Sequence, residues 1–198
     1  MREFHPIIVV LMLICIIVLP IFTHVNAKTY YDSRIAENKC RPKVYDLMFV
    51  ILPNLSTSTL VRIIVDFGVN VLFICAFVYL KTPYVKLLMY RILLMFFIRS
   101  IIINLTVLPK EKSCNDKGLT IYNYVFGHCY DKLYSGHYAS VYLTSSLLYT
   151  NGIINVYIFA FINIIGALLI LSARFHYTND IVFAYFASFF VEQILTIV

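Results

Sequence analysis

Two short polar stretches of this chain carry the residue types best suited to chemistry. The first runs from Cys129 to His137 (CYDKLYSGH), and the second runs from His176 to Asp180 (HYTND). Each stretch begins or directly precedes an apolar segment. Together they supply two histidines and a carboxylate, a set that suits the transfer of a phosphoryl group.

The second stretch predicts a nucleophile. His176 and Asp180 are four residues apart. If the last apolar segment is a helix that begins here, both side chains share one face, roughly 6 Å apart at the backbone. A carboxylate in that position holds an imidazole in one tautomer and stabilises its cationic form. We therefore predict that His176 is the nucleophile and forms a phosphohistidine.

The first stretch predicts an acid and an anion site. Ser135 and Gly136 precede His137 at a predicted helix start, where glycine permits close backbone approach and unpaired N–H groups favour an anion. His137 is then placed to protonate a departing lipid alcohol and later to deprotonate the acceptor. A single histidine at a helix end is usually an interfacial hydrogen-bonding residue. Here two histidines share one face, and one of them has a carboxylate four residues later. This arrangement favours a phosphate site that needs no metal or cofactor.

The composition indicates a chain embedded in lipid. Of its 198 residues 61% are hydrophobic and 13% are charged, whereas soluble domains carry about 25% charged residues. The net charge is +6, and the basic residues lie mostly in two long polar loops. This distribution favours contact with anionic lipid headgroups and disfavours a nucleic-acid partner.

The pattern of apolar segments predicts an all-α bundle of six transmembrane helices. The predicted spans cover residues 7–22, 60–80, 84–108, 136–149, 153–171 and 181–198, and a short apolar piece at 44–52 is predicted to lie along the interface. Residues 1–27 are either a first span or a signal peptide, and residues 28–198 form the catalytic transmembrane domain.

The number of crossings places residues 28–59, 109–136 and 173–180 on one side of the membrane. Both polar stretches therefore share a face, which we predict to be extracytoplasmic because the signal-like start directs Lys28 outward. The basic loops oppose this orientation under the positive-inside rule, but an active site that binds phosphate has its own use for basic residues.

Several ionisable residues fall inside the predicted spans. Arg62 and Asp66 have the spacing of a structural ion pair on one helix face. Arg91 is expected to extend to the inner interface. Arg99 lies deeper, where functional and structural roles are equally supported. Glu192 is expected to face inward as one of a hydrogen-bonded pair with its neighbour.

The five cysteines do not indicate a metal site, because no C-x-x-C spacing occurs. Cys15 and Cys75 lie in apolar runs and are expected to pack as small hydrophobic residues. A Cys114–Cys129 disulfide and free thiols are both compatible with an extracytoplasmic loop.

The histidine motifs resemble those of a known family. Ser135-Gly-His137 with His176-x-x-x-Asp180 resembles the type 2 phosphatidic acid phosphatase superfamily. The sphingomyelin synthase branch is most similar: its Cys-Gly-Asp…Ser-Gly-His-Thr motif corresponds to C-Y-D…S-G-H-Y here, and its His-Tyr-Thr/Ser-x-Asp motif continues here as HYTNDIVFAY. The stretch from Arg99 to Pro109 also resembles that branch. This chain has Tyr130 where the family has glycine and Tyr138 where it has threonine.

The resemblance implies a ceramide phosphotransferase with the triad His137, His176 and Asp180 facing the lumen or the cell exterior. It implies membrane lipids as partners: ceramide as acceptor, a phosphoglycerolipid as donor and diacylglycerol as product. The residues that we expect to bind substrate are Arg99, Asp131, Ser135, Gly136 and Tyr177. The expected location is the Golgi, the endoplasmic reticulum or the plasma membrane, and a homo-oligomer is compatible with the sequence.

Two alternatives stay open at this stage. The same triad with water as acceptor is a lipid phosphate phosphatase, which removes phosphate from phosphatidic acid or a related lipid. An inactive protein that binds lipid is less favoured, because the triad is intact.

Overall fold

The computed structural model describes residues 6–36, 45–105 and 133–197, which fold into seven α-helices without a strand among them. The helices are α1 (Pro6–Ala36), α2 (Leu47–Ile51), α3 (Thr59–Tyr79), α4 (Thr82–Leu105), α5 (Gly136–Thr150), α6 (Val156–Ser172) and α7 (Thr178–Ile197). The predicted all-α class is confirmed. The features predicted at Cys40, Cys114, Cys129, Tyr130 and Asp131 lie outside the described residues.

Helices α2 to α7 overlap the predicted apolar segments, and α2 lies within the short piece 44–52, whose interfacial position stays a prediction. Helix α1 continues past the predicted boundary at residue 27 and contains Pro20. The division at residues 27 and 28 stays a prediction. Cys15 and Cys75 are partly buried and free.

Polar side chains cap the start of four helices, and Asp46 is the cap of α2. Ser58 caps α3 by accepting from the Val61 N–H at 3.4 Å, and Asn155 caps α6 by accepting from the Ile158 N–H at 2.9 Å. Ser135 caps α5 in the same way. These residues satisfy N–H groups that the first helical turn leaves without intrahelical partners.

Helix α5 is the centre of the fold. Every residue from Tyr138 to Leu148 is buried, and α5 packs against α3, α4, α6 and α7. These helices alternate in direction. The start of α5 therefore meets the start of α3, the end of α4 and the start of α7 at one end of the bundle.

The opposite end is closed by apolar packing. Ala76 and Leu80 of α3 meet Leu88 of α4 and Leu147 and Leu148 of α5 in one buried cluster. This cluster joins α3 to α4 near their connecting turn.

A buried ion pair lies within the bundle, away from the polar stretches. Arg91 Nη1 is 3.4 Å from Glu192 Oε1, and the side chains are 4% and 12% exposed. Ser146 Oγ donates to the same carboxylate at 2.6 Å. The expectation that Arg91 extends to an interface is wrong, because Glu192 compensates its charge inside the bundle. Glu192 does face inward, as expected.

Two helices of the described ranges, α3 and α4, are long and apolar enough to cross a membrane. The Pro6–Phe22 part of α1 and the whole of α6 are apolar but shorter. Six membrane crossings therefore stay a prediction.

Candidate active site

The two predicted polar stretches meet at the end of the bundle where α5 and α7 begin. The rings of His137 and His176 have centroids 6.3 Å apart. The backbone also joins the stretches, because the Ser135 N–H donates to the Asp180 carbonyl oxygen at 3.2 Å. The described part of the first stretch, residues 133–137, therefore lies beside the second stretch, while their shared side of a membrane stays a prediction.

His176 and Asp180 form the predicted pair. His176 Nδ1 lies 3.0 Å from Asp180 Oδ2, and the Asp180 side chain has no exposed surface. An ionised carboxylate only accepts hydrogen bonds, so His176 donates from Nδ1 and its Nε2 carries the lone pair. This tautomer makes Nε2 the nucleophilic atom.

Two backbone donors hold Asp180 in place. The Tyr177 N–H donates to Oδ2 at 2.9 Å, and the Leu133 N–H donates to Oδ1 at 2.9 Å. Leu133 has a φ of 93°, a conformation that is strained for a branched side chain. The strained backbone aims an N–H group of the first stretch at the carboxylate of the second. Asp180 thus links both stretches.

His137 has a carboxylate of its own on another helix. Its Nε2 lies 2.9 Å from Asp66 Oδ1 of α3, and the side chains of His137 and Asp66 are 14% and 29% exposed. Asp66 therefore bonds across helices. The Arg62–Asp66 ion pair expected from the spacing is not what Asp66 forms, and the Arg62 guanidinium lies 5.8 Å from the centroid of the Phe175 ring.

Asp66 belongs to the site although its sequence context predicted an ion pair with Arg62. Its position seven residues into an apolar helix was a usable signal, because an ionisable group there usually faces protein or a wet cavity. However, Arg62 lies four residues before Asp66, and an ion pair between them was a sufficient local explanation for a charge at this position. Only the approach of α3 to α5 shows that its partner is a histidine 71 residues later.

A cavity of about 270 Å³ lies between α3, α4 and α5 and reaches both histidines. Its polar lining residues are Asp66, Asn70, Arg99, His137, Ser140 and His176. Its apolar lining residues include Val69, Phe73, Ile92 and Phe96. A cavity lined by both polar and apolar side chains suits an amphipathic ligand.

Among the described residues, Arg99 is the cation that lines this cavity. It is 7% exposed, and its guanidinium carbon lies 5.8 Å from the Phe96 ring centroid. Gly136 is packed closely against it, since a Cβ on residue 136 would lie 3.4 Å from Arg99 Nε. A side chain at residue 136 would fill the space between the arginine and the start of α5. This geometry agrees with the predicted anion site at Gly136.

The remaining predicted binding residues that the structure describes do not line the cavity. Ser135 is fully buried, and its Oγ accepts from the Tyr138 N–H at 3.2 Å. The Tyr177 ring stacks on Phe49 with centroids 5.3 Å apart. The geometry gives both residues a part in holding the site, and contact with a substrate stays a prediction for them.

The tyrosine that replaces threonine after His137 points away from the cavity. Tyr138 belongs to the buried core cluster together with Tyr134, Tyr142 and Ala184. Its bulk therefore adds to the core and leaves the cavity wall unchanged. Burial also raises the pKa of the neighbouring Tyr134 phenol, which keeps that hydroxyl protonated.

Comparison with known proteins identifies one family. Residues 128–196, about a third of the chain, match the family described as PAP2 superfamily C-terminal. The matched segment contains His137, His176 and Asp180, whereas Asp66 and Arg99 precede it. No curated protein and no solved structure matches the chain. The match is to the superfamily and agrees with the resemblance seen in the motifs.

Proposed function

We propose that this protein is an integral membrane enzyme that transfers a phospho-headgroup from a glycerophospholipid to ceramide through a phosphohistidine. The observation that carries the proposal is the arrangement of two histidine–carboxylate pairs across one cavity. The family match supports the broader class, which is phosphotransfer or phosphate hydrolysis on lipids. The sphingolipid acceptor rests on the resemblance of the two motifs.

In the first step, His176 Nε2 attacks the phosphorus of the donor lipid. The new P–N bond replaces the P–O bond to the glycerol oxygen, and His137 Nδ1 gives its proton to that oxygen, so that diacylglycerol leaves. Asp180 stabilises the cationic His176 ring. Arg99 faces the phosphate oxygens as a fixed positive charge.

In the second step, His137 acts as the base. It takes the proton from the primary hydroxyl of ceramide, whose oxygen attacks the phosphorus and displaces His176 Nε2. The electron pair of the P–N bond returns to the imidazole, and Asp66 holds the His137 ring through Nε2 in both steps. The enzyme then returns to its starting state.

The shape of the cavity supports a lipid substrate. Its volume of about 270 Å³ is slightly below the usual range of roughly 300–1,000 Å³ for small-molecule sites. It can hold a headgroup but not two acyl chains. The apolar lining residues Phe73 and Ile92 lie about two helical turns along α3 and α4 from Asp66 and Arg99, which supports a pose in which the chains stay in the bilayer while the phosphate reaches His176.

The outer surface of the bundle supports a membrane location. Large apolar side chains on α3 are exposed, among them Ile63, Phe67, Ile74 and Phe77. Contiguous apolar surface of this extent is unfavourable in water and favourable in lipid. The compartment, and the extracytoplasmic position of the site, are proposed from the signal-like N-terminus.

Hydrolysis by the same residues is the second candidate. The Asp66 side chain is 29% exposed, which supports the access of water to the His137 side of the cavity. Water activated by His137 would then release the phosphate from His176. Transfer and hydrolysis therefore differ only in which hydroxyl reaches the phosphohistidine first.

Lipid products distinguish these functions. Purified protein in vesicles of mixed phospholipids is supplied with labelled ceramide, and the lipids are separated after incubation. A labelled ceramide phospho-headgroup lipid supports transfer, while headgroup release independent of ceramide supports hydrolysis. His176→Ala should abolish either product. Asn163→Ala is the matched control, because Asn163 is a buried polar residue of α6 outside the cavity lining.

A further inference from the structure

The short helix α2 is attached to the His176 loop mainly through polar contacts. None of its side chains is fully buried, although its apolar residues touch the core cluster. The segment that follows α2 joins the same loop, since the Leu55 N–H donates to the Ser172 carbonyl oxygen at 2.8 Å. Helix α2 and its cap residue Asp46 contact Arg174, Tyr177 and Thr178, which lie on both sides of His176.

Asp46 holds the start of α7. Its Oδ1 accepts from the Met48 N–H at 2.9 Å and thereby caps α2. The same carboxylate accepts from the Thr178 N–H and the Thr178 hydroxyl, both at 2.6 Å. One buried carboxylate thus caps its own helix and the helix that carries Asp180. This attachment point lies two residues after His176.

Arg174 holds the other side of the loop. Its Nη2 donates to the carbonyl oxygens of Phe49 at 2.7 Å and Leu52 at 3.1 Å. Its guanidinium carbon lies 4.1 Å from the centroid of the Phe49 ring. This attachment point lies two residues before His176.

The backbone of Arg174 has a conformation that favours glycine. Its φ is 57°, and it occupies the position after the end of α6 at which the Phe175 N–H bonds the Ile170 carbonyl and the Arg174 N–H bonds the Leu171 carbonyl. Helices that end with this pattern usually place glycine there. An arginine in a strained conformation at such a site indicates a function for its side chain.

We propose that α2, through Asp46 and Arg174, is a positioning element that fixes the His176 ring relative to the cavity. The two attachment points flank His176, and the Tyr177 ring stacks on Phe49 between them. Asp180 sets the tautomer of His176, and the α2 contacts set where that ring stands. The catalytic consequence rests on the proposed function, whereas the structural consequence at His176 does not.

Arg174→Gly tests this idea without disturbing the backbone. Glycine adopts the same φ readily, so the variant keeps the helix end and loses only the contacts to Phe49 and Leu52. We expect a melting temperature close to that of wild type. We also expect kcat to fall about 10- to 100-fold, with KM changed less than about threefold, because a misplaced nucleophile slows the reaction more than it weakens binding.

A spectroscopic measurement on His176 keeps the test independent of activity. Full-length protein with ¹⁵N-labelled histidine is studied in nanodiscs, and the His176 ring signals are assigned by their loss in His176→Gln. Arg174→Gly and Asp46→Ala should each shift or broaden those signals. Asn155→Ala, which removes the cap of α6 at the far end of the bundle, should leave them unchanged.

The outcomes separate this proposal from the proposed function. Unchanged His176 signals in both Arg174→Gly and Asp46→Ala would overturn the positioning role, whether or not the melting temperature falls. If wild-type protein forms no lipid product while the signals shift as expected, the proposed function fails and the positioning role stands.

Discussion

The two histidine–carboxylate pairs of the cavity differ in how they are built. His176 and Asp180 lie four residues apart at the start of one helix, and Asp180 is fully buried with two backbone donors. His137 and Asp66 lie on different helices and are 14% and 29% exposed. The first pair is buried and held by backbone hydrogen bonds, and the second pair is more exposed.

The difference matches the two roles in the proposed reaction. A nucleophile must keep one tautomer and one position through both steps, which a fully bonded carboxylate ensures. A group that gives and takes a proton must reach first the leaving oxygen and then the acceptor hydroxyl, which a more open pair permits. The comparison predicts that equal substitutions in the two pairs have unequal effects.

The largest effect is expected from Asp180→Asn. The amide keeps the size of the carboxylate but can present an N–H group to His176, which favours the wrong tautomer. We expect kcat to fall about 10³- to 10⁴-fold, measured as lipid product per folded protein. A loss smaller than about tenfold would show that Asp180 does not set the tautomer of the nucleophile.

A smaller effect is expected from Asp66→Asn, which is the matched change in the open pair. Solvent can partly replace Asp66 as the partner of His137, so we expect kcat to fall about 10- to 100-fold with a natural lipid donor. With a nitrophenyl phosphodiester, the initial burst of nitrophenolate should recover, because that leaving group needs no proton. The burst should not recover in Asp180→Asn, and recovery there would remove the distinction between the pairs.

The buried ion pair within the bundle is expected to affect stability and not catalysis. Glu192→Gln leaves Arg91 without its compensating charge, which costs on the order of 3 kcal/mol. Thermal unfolding in detergent should show a lower midpoint. The kcat of the folded fraction should stay within about twofold of wild type, and a larger drop would place Glu192 in the catalytic machinery.

The smallest effect on the reaction is expected from Tyr138→Thr, which restores the residue found in the resembling family. The Tyr138 side chain lies in the core, so the substitution should lower stability through a cavity. The choice between ceramide and water as acceptor, measured as the ratio of the two products, should not change. A changed ratio would show that Tyr138 reaches the acceptor.

Local patterns predicted the nucleophilic half of the site and much of the fold. The i,i+4 spacing of His176 and Asp180 needs only a helix to form a pair, and that helix follows from the apolar segment behind it. Ser135 and Gly136 marked the start of α5 for the same reason. The alternation of apolar segments was enough to bring the two polar stretches to one end of the bundle.

The rest depends on how helices meet. Asp66 could have paired with Arg62 on its own helix, and Arg91 could have extended to an interface, since both arrangements satisfy local rules. Because α3 packs against α5, Asp66 pairs with His137. Because α4 packs against α7, Arg91 pairs with Glu192. The sequence by itself therefore determined the pairing of His176 with Asp180, because their distance is set by one helical turn. Only the tertiary structure decided the partner of His137, the cavity beside it and the attachment of α2, because these depend on distances between segments far apart in the chain.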